Sequence, residues 1–317
     1  MTYQKIFYGA PGTGKSFCID DMLNHQNIDL NYIYRVTFHP EYSYADFIGQ
    51  ILPVVTDSDN GKNISYEFVK GIFTKCIEHA YQNTSKNVFL ILEEMSRGDV
   101  AAIFGDIFQL LDREQSGPKK GFSKYFISNS LLTKDITYIE DDKLKLPPNL
   151  IIYGTVNTSD QNVFVMDTAF KRRFDWEYVS TRPIRKSGMW LNNPELEITN
   201  SNNEKVDTNW IVFYNSLNKF ITDRTFLELG EDKQIGQFFI EFDLNNTDDA
   251  KQKNLKTIQN KLLNYLWNDV HKASFKRGIL LFSERITNFS ELYEAFGNRE
   301  NIFSVQFFEC FDNIRID

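Results

Sequence analysis

The sequence predicts an α/β protein in which a parallel-stranded core is followed by a smaller, mainly helical domain. Three observations predict it. A glycine-rich loop at residues 9–16 sits between a strand-like and a helix-like segment. A continuous apolar run of strand length at 87–92 and a second buried-strand pattern at 150–156 recur, with helical stretches between them. Past about residue 183 the texture changes to polar loops and helical periodicity. Strands that alternate with helices at this spacing indicate a parallel sheet with crossover connections. The expected domains are 1–182 and 183–317.

Residues 4–8 read as a short buried strand that runs into the glycine loop, and 17–24 as the helix after it. The β-branched and aromatic content of 32–38 predicts a second strand. A helix begins at 44 and runs toward 51, where Pro53 and the polar run 56–61 interrupt it; 64–68 reads as a hairpin arm and 71–81 resumes as helix. The run 87–92 has the pattern of a strand covered on both faces and ends in Glu93-Glu94. Helical spacing marks 100–111, and 150–156 is another buried strand, ending in Asn157. In the second domain 192–194 and 199–204 have loop composition, while 210–221, 255–270 and 290–296 carry helical periodicity.

Composition sets bounds. A hydrophobic fraction of 42% and a charged fraction of 25% are those of a globular protein, and 28 Phe with 15 Tyr predict an aromatic core. A net charge of −8 argues against unaided binding to nucleic acid, which needs clustered cations. Cys18, Cys76 and Cys310 are scattered, without metal-ligand or redox spacing, and are expected as reduced thiols. No window reaches the roughly 18 apolar residues that span a bilayer. The chain enters its phosphate loop almost at once, leaving no room for a signal peptide, so a cytoplasmic protein with no membrane partner is expected.

The loop Gly9-Ala10-Pro11-Gly12-Thr13-Gly14-Lys15-Ser16 fits G-x-x-x-x-G-K-[ST] in the strand-to-helix context the motif demands. Its glycines let backbone N–H groups converge on phosphate oxygens. Lys15 supplies a point charge to the β- and γ-phosphates, the Ser16 hydroxyl is a candidate Mg²⁺ ligand, and the helix N-terminus adds partial positive charge. The candidate nucleotide-binding set is Gly9, Ala10, Pro11, Gly12, Thr13, Gly14, Lys15, Ser16 and Phe17. Such a loop needs acids at the end of a neighbouring strand. Glu93 is assigned to the metal and Glu94 to polarising the attacking water. Asn157, at the next strand end, is placed to hold that water or the γ-phosphate, and Asp160 to join the network or cap the following helix. Lys171-Arg172-Arg173 ends a helical stretch, where the dipole favours cations; the sharper reading is an arginine offered to a neighbouring subunit's γ-phosphate.

The order of phosphate loop, acidic strand end, asparagine strand end and terminal arginines resembles an AAA+ module, and more narrowly the McrB family of restriction-system motor subunits. Four segments carry the resemblance: the phosphate loop; residues 37–48; Glu93-Glu94-Met95-Ser96-Arg97-Gly98-Asp99; and 157–163 running on to Ala169-Phe170-Lys171-Arg172-Arg173-Phe174. Gln234-Ile235-Gly236-Gln237-Phe238-Phe239 is a fainter match to the family's Ile-Gly-His-Ser-Tyr-Phe stretch in the lid. The resemblance implies an AAA+ module with a helix-two insertion, here the interrupted helix 44–81, and a small helical lid. It implies GTP or ATP as substrate with Mg²⁺, a hexameric ring, an McrC-like nuclease partner and DNA handled through the complex. It also implies that Arg97 reaches across an interface.

Departures qualify it. The family's Asp-Glu-Ile-Asn-Arg is here Glu93-Glu94-Met95-Ser96-Arg97, which changes the metal contact, and the lid histidine is Gln237. No Asn-Lys-x-Asp guanine-reading motif follows the expected strand. The family's DNA-reading domain has no counterpart ahead of Gly9, so target recognition is expected in a partner or a separate subunit. Two other readings compete: a MoxR-like ATPase that remodels protein clients, and a nucleotide-gated assembly scaffold whose hydrolysis is incidental.

Overall fold

The computed structural model describes residues 3–58, 61–134, 136, 139, 141–158, 166–245, 247–274 and 278–312. The chain divides into two compact units, Met1–Tyr8 with Lys15–Tyr178, and Gly9–Gly14 with Val179–Asp317.

The first unit runs β1 (Gln4–Gly9), α1 (Lys15–His25), β2 (Ile33–Thr37), α2 (Tyr44–Ile48), β3 (Gly49–Ser58), β4 (Gly61–Lys70), α3 (Ile72–Gln82) and β5 (Val88–Glu93). After α4 (Val100–Phe104) a short insert carries β6 (Ile127–Ser128), α5 (Ser130–Thr133) and β7 (Lys143–Leu144). The unit closes with β8 (Leu150–Asn157), α6 (Thr168–Lys171) and β9 (Asp175–Tyr178). Five of these strands form one sheet in the order β2-β5-β8-β1-β9. The β2–β5, β5–β8 and β1–β9 pairs are all parallel, as the alternation of strands and helices required. Every residue of β5 is buried, which is why its sequence reads as one unbroken apolar run. Helix α3 buries Phe73, Cys76, Ile77 and Ala80 at helical spacing against this core. Phe47, Phe104, Phe170 and Phe174 form a chain of ring contacts, with successive centroids 5.2, 5.3 and 5.0 Å apart.

The insertion between α2 and α3 is a two-stranded antiparallel ribbon, in register from Gly49↔Lys70 to Ser58↔Gly61. The helix expected to reach residue 51 therefore ends at Ile48. Ser43 and Asp46 close a reciprocal cap at its start, and Gly49 stops it with φ 129° where a side chain would strike Val69. Pro53 pairs with Tyr66 inside the ribbon, which among the described residues has no third strand to need its missing N–H. The expected helix 100–111 is likewise broken: Gly105 has φ 50°, and the chain continues as a 3₁₀ turn over Gly105–Leu111.

The second unit begins with two hairpins, β10 (Arg185–Lys186) with β11 (Met189–Trp190), and β12 (Glu195–Thr199) with β13 (Lys205–Asn209). The loop expected at 199–204 is the turn of the second. Helices follow: α7 (Trp210–Thr222), then a continuous helical run of α8 (Asp248–Thr257), α9 (Leu263–Tyr265) and α10 (Lys272–Ser274) joined by π-helical turns, then α11 (Phe289–Gly297) and α12 (Val305–Asp312). Asn209 caps α7 on Val212, and Trp210, Tyr214, Phe220 and Phe307 lie fully buried at the centre of this core. No helix among the described residues is long and apolar enough to cross a membrane.

Candidate nucleotide-hydrolysis site

β1 delivers the chain into the glycine loop, and α1 begins at Lys15, so Lys15 and Ser16 occupy the first turn of a helix. Gly12 and Gly14 have φ of 75° and 89°, a region in which a Cβ is strained. Within the loop the Thr13 hydroxyl donates to the Ala10 carbonyl at 3.0 Å. The Lys15 side chain is buried, and Phe17 is half-buried.

Glu93 ends β5 and lies 9% exposed. Its Oε2 accepts hydrogen bonds from the Ser16 hydroxyl at 2.9 Å and the Thr155 hydroxyl at 2.6 Å, and its Oε1 accepts from Arg35 Nη1 at 2.8 Å. Arg35 also pairs with Asp20. Four elements, α1, β2, β5 and β8, thus converge on one carboxylate. Among the described residues no group of three or more His, Cys, Asp or Glu side chains is placed to hold a metal. The Ser16 hydroxyl and Glu93 carboxylate together fit Mg²⁺, which prefers one or two protein ligands and fills its octahedron with water and phosphate oxygens.

Glu94 follows in a different backbone state, left-handed at φ 55°, ψ 43°, before the 3₁₀ turn Met95–Arg97. A non-glycine residue held there is strained by about 1–2 kcal/mol. The turn separates the two carboxylates: Glu94 Oε2 accepts from Asn157 Nδ2 at 2.8 Å and from Arg97 Nε at 3.2 Å. Thr155 links the pair, since its hydroxyl donates to Glu93 and accepts from the Glu94 backbone N–H at 3.1 Å. Arg97 is more than half exposed.

The two arginines after α6 differ sharply. Arg173 is largely buried, bound to Asp112 through Nη2 (2.7 Å) and Nε (3.1 Å), donating to the Ala169 carbonyl (2.8 Å) and lying 4.0 Å above the Phe108 ring. Arg172 is exposed. Asp160 lies outside the described residues. In the second unit Gln237, at the position of the expected lid histidine, is 2% exposed; its side chain accepts from the Ile184 N–H at 2.7 Å and donates to the Leu191 carbonyl.

The sequence therefore placed Ser16 with Glu93, and Glu94 with Asn157, and missed Arg35, Asp20, Thr155 and Asp112. Thr155 had a usable signal, because it lies two residues before Asn157 on the same face of β8. Arg35 had none of that kind, because its partner is set by the pairing of β2 with β5.

The parallel sheet, the glycine loop and these paired strand-end acids define a P-loop nucleoside triphosphatase. Comparison with known proteins gives the family. The model of the AAA domain (dynein-related subfamily) matches residues 5–174, and the chain belongs to that family. It is 34% identical over 319 residues to the Type II restriction enzyme BsuMI component YdiS of Bacillus subtilis (strain 168), covering 95% of this chain and 87% of that protein. It is 28% identical over 176 residues to the Type IV methyl-directed restriction enzyme EcoKMcrB subunit of Escherichia coli (strain K12), covering 54% of this chain and 34% of that one. The chain is thus an AAA+ nucleoside triphosphatase related to restriction-system proteins, with the dependence on nucleotide and Mg²⁺ general to that class.

Proposed function

We propose that this chain is the nucleotide-driven motor subunit of a restriction or phage-defence complex. It works as a homo-oligomeric, hexameric ring with an McrC-like nuclease, hydrolysing GTP or ATP and moving DNA only within that assembly. The observation that carries the reading is the Glu94–Asn157 contact of 2.8 Å beside the Ser16–Glu93 contact of 2.9 Å. It sits in a chain that aligns along most of its length with a restriction-enzyme component. The functional division is 1–182 for the nucleotide-binding domain and 183–317 for the lid.

In this reading residues 9–17 enclose the phosphates, and Lys15 carries the charge opposite the β- and γ-oxygens. Ser16 and Glu93 would hold Mg²⁺, which supplies charge neutralisation at the transferring phosphoryl group. Arg35 and Thr155 fix the longer glutamate side chain in the place where aspartate is usual. Glu94 accepts the proton of the attacking water, and Asn157 orients that carboxylate. Arg97 and Arg172 face a neighbouring subunit, while Arg173 holds the α6 end in place through Asp112. The division of labour between the arginines follows their burial, since a largely buried, paired guanidinium is not available to a neighbour.

The test is hydrolysis of GTP and ATP in parallel by the purified chain, alone and with an McrC-like nuclease and DNA. Turnover of one nucleotide is expected to rise when the nuclease is added. Stimulation by a folded protein client instead, with no response to nuclease or DNA, would replace this reading with the remodelling one.

A further inference from the structure

The second unit contains the tip of the phosphate loop, Gly9–Gly14, and a segment of the lid lies directly on it. The Gly236 N–H donates to the Pro11 carbonyl at 2.8 Å, and the Phe238 N–H donates to the Gly12 carbonyl at 2.7 Å. Space is short on both sides. A Cβ on Gly236 would strike the Gly12 carbonyl oxygen and the Thr13 nitrogen, and a Cβ on Gly12 would strike the Phe239 backbone. The Phe238 ring lies against Gly14, 3.1 Å from where a Cβ would stand. The segment is itself anchored. Asn218 bonds both the N–H and the carbonyl of Ile235, at 2.9 and 2.7 Å, and Trp210 and Asn192 both donate to the Gln237 carbonyl, at 2.8 and 2.7 Å.

We infer that residues 235–239 are a positioning element for the phosphate cradle, with Gly236 its key residue. A peptide unit is planar and trans, so its C=O and N–H point in opposite directions. The Pro11 carbonyl shares a plane with the Gly12 N–H, and the Gly12 carbonyl with the Thr13 N–H. Pinning both carbonyls to the lid turns both N–H groups toward the opposite face, as a backbone anion nest requires. Two glycines of the loop therefore make room for the lid as well as for phosphate. The ligand this element serves is the polyphosphate chain, whatever the base. The inference rests on the nucleotide reading above.

The test uses the full chain carrying Gly236→Ala. Gly236 does not adopt a positive φ, so the substitution adds only the Cβ. The probes are non-hydrolysable GTP and ATP analogues, with Mg²⁺, and inorganic tripolyphosphate as competitor. Any probe the wild type binds is expected to bind about tenfold more weakly, the loss of one or two hydrogen bonds in the cradle. KM should rise more than kcat falls. Affinities within about twofold of wild type overturn the inference, as does a loss confined to the analogues with tripolyphosphate unaffected. If the variant does not fold, amide exchange on the wild type decides. The Gly236 and Phe238 N–H groups should be protected, and further protected by a bound analogue; unprotected exchange, or no response to it, overturns the inference. Lys15→Ala separates the two failures. A wild type that binds none of the probes ends the nucleotide reading and this inference with it. Binding lost in Lys15→Ala but intact in Gly236→Ala ends the inference alone.

Discussion

Glu93 and Glu94 are adjacent in the chain, yet their side chains join different networks, because the backbone changes from extended to left-handed between them. Glu93 is fixed by Ser16, Thr155 and Arg35, and Glu94 by Asn157 and Arg97. The same scale separates the arginines. Arg173→Ala removes the partner of the mostly buried Asp112 and the packing on Phe108, and should lower unfolding stability by about 2–4 kcal/mol. Arg172→Ala, at an exposed position, should change it by less than about 0.5 kcal/mol. Urea denaturation of the two variants checks this, and equal losses would contradict the assignment. The strand-end residues Glu93, Glu94 and Asn157 were legible because an apolar run that stops at a polar residue marks a sheet's edge. Arg35 was not, because it lies inside β2 and meets Glu93 only through the register of that strand beside β5.

At the scale of elements, legibility followed burial. The strands β5 and β8 are the most deeply buried of the sheet, and they fall within a residue of where the sequence put them. Elements decided by backbone conformation were misjudged. Gly105 breaks a segment whose apolar spacing is helical throughout, because a left-handed glycine costs little and its apolar neighbours pack equally well in a 3₁₀ turn. The Asn- and Ser-rich stretch 199–204 is the turn of β12–β13, but the strands on either side of it carry no element in the sequence reading, although Leu196, Ile198 and Val206 share one face of the hairpin. The β3–β4 ribbon is an element whose outer half adds little to the core. Val55 and Ile64, paired near its tip, are 57% and 67% exposed. Joining Val54 to Ser65 through an Asn-Gly turn should change stability by less than about 1 kcal/mol. A loss of several kcal/mol on denaturation would show that the tip packs where its exposure says it does not.

For the whole molecule, a net charge of −8 opposes unaided DNA binding, which agrees with a subunit that meets DNA inside a complex. The proposed ring makes a specific demand: a nucleotide held by one subunit's Lys15 needs Arg172 from the next. Mixtures of Lys15→Ala and Arg172→Ala chains, each inactive, should regain part of the turnover, because some interfaces then carry both intact residues. No recovery at any ratio would contradict action of Arg172 on a neighbouring subunit's nucleotide. The most direct measurement is on Glu94→Gln, comparing triphosphate binding with single-turnover hydrolysis in Mg²⁺. The amide keeps size and polarity but cannot accept the water's proton. Binding should stay within about twofold while hydrolysis falls by about 10²-fold or more. Hydrolysis at the wild-type rate, or a fall in binding equal to the fall in hydrolysis, would contradict the account.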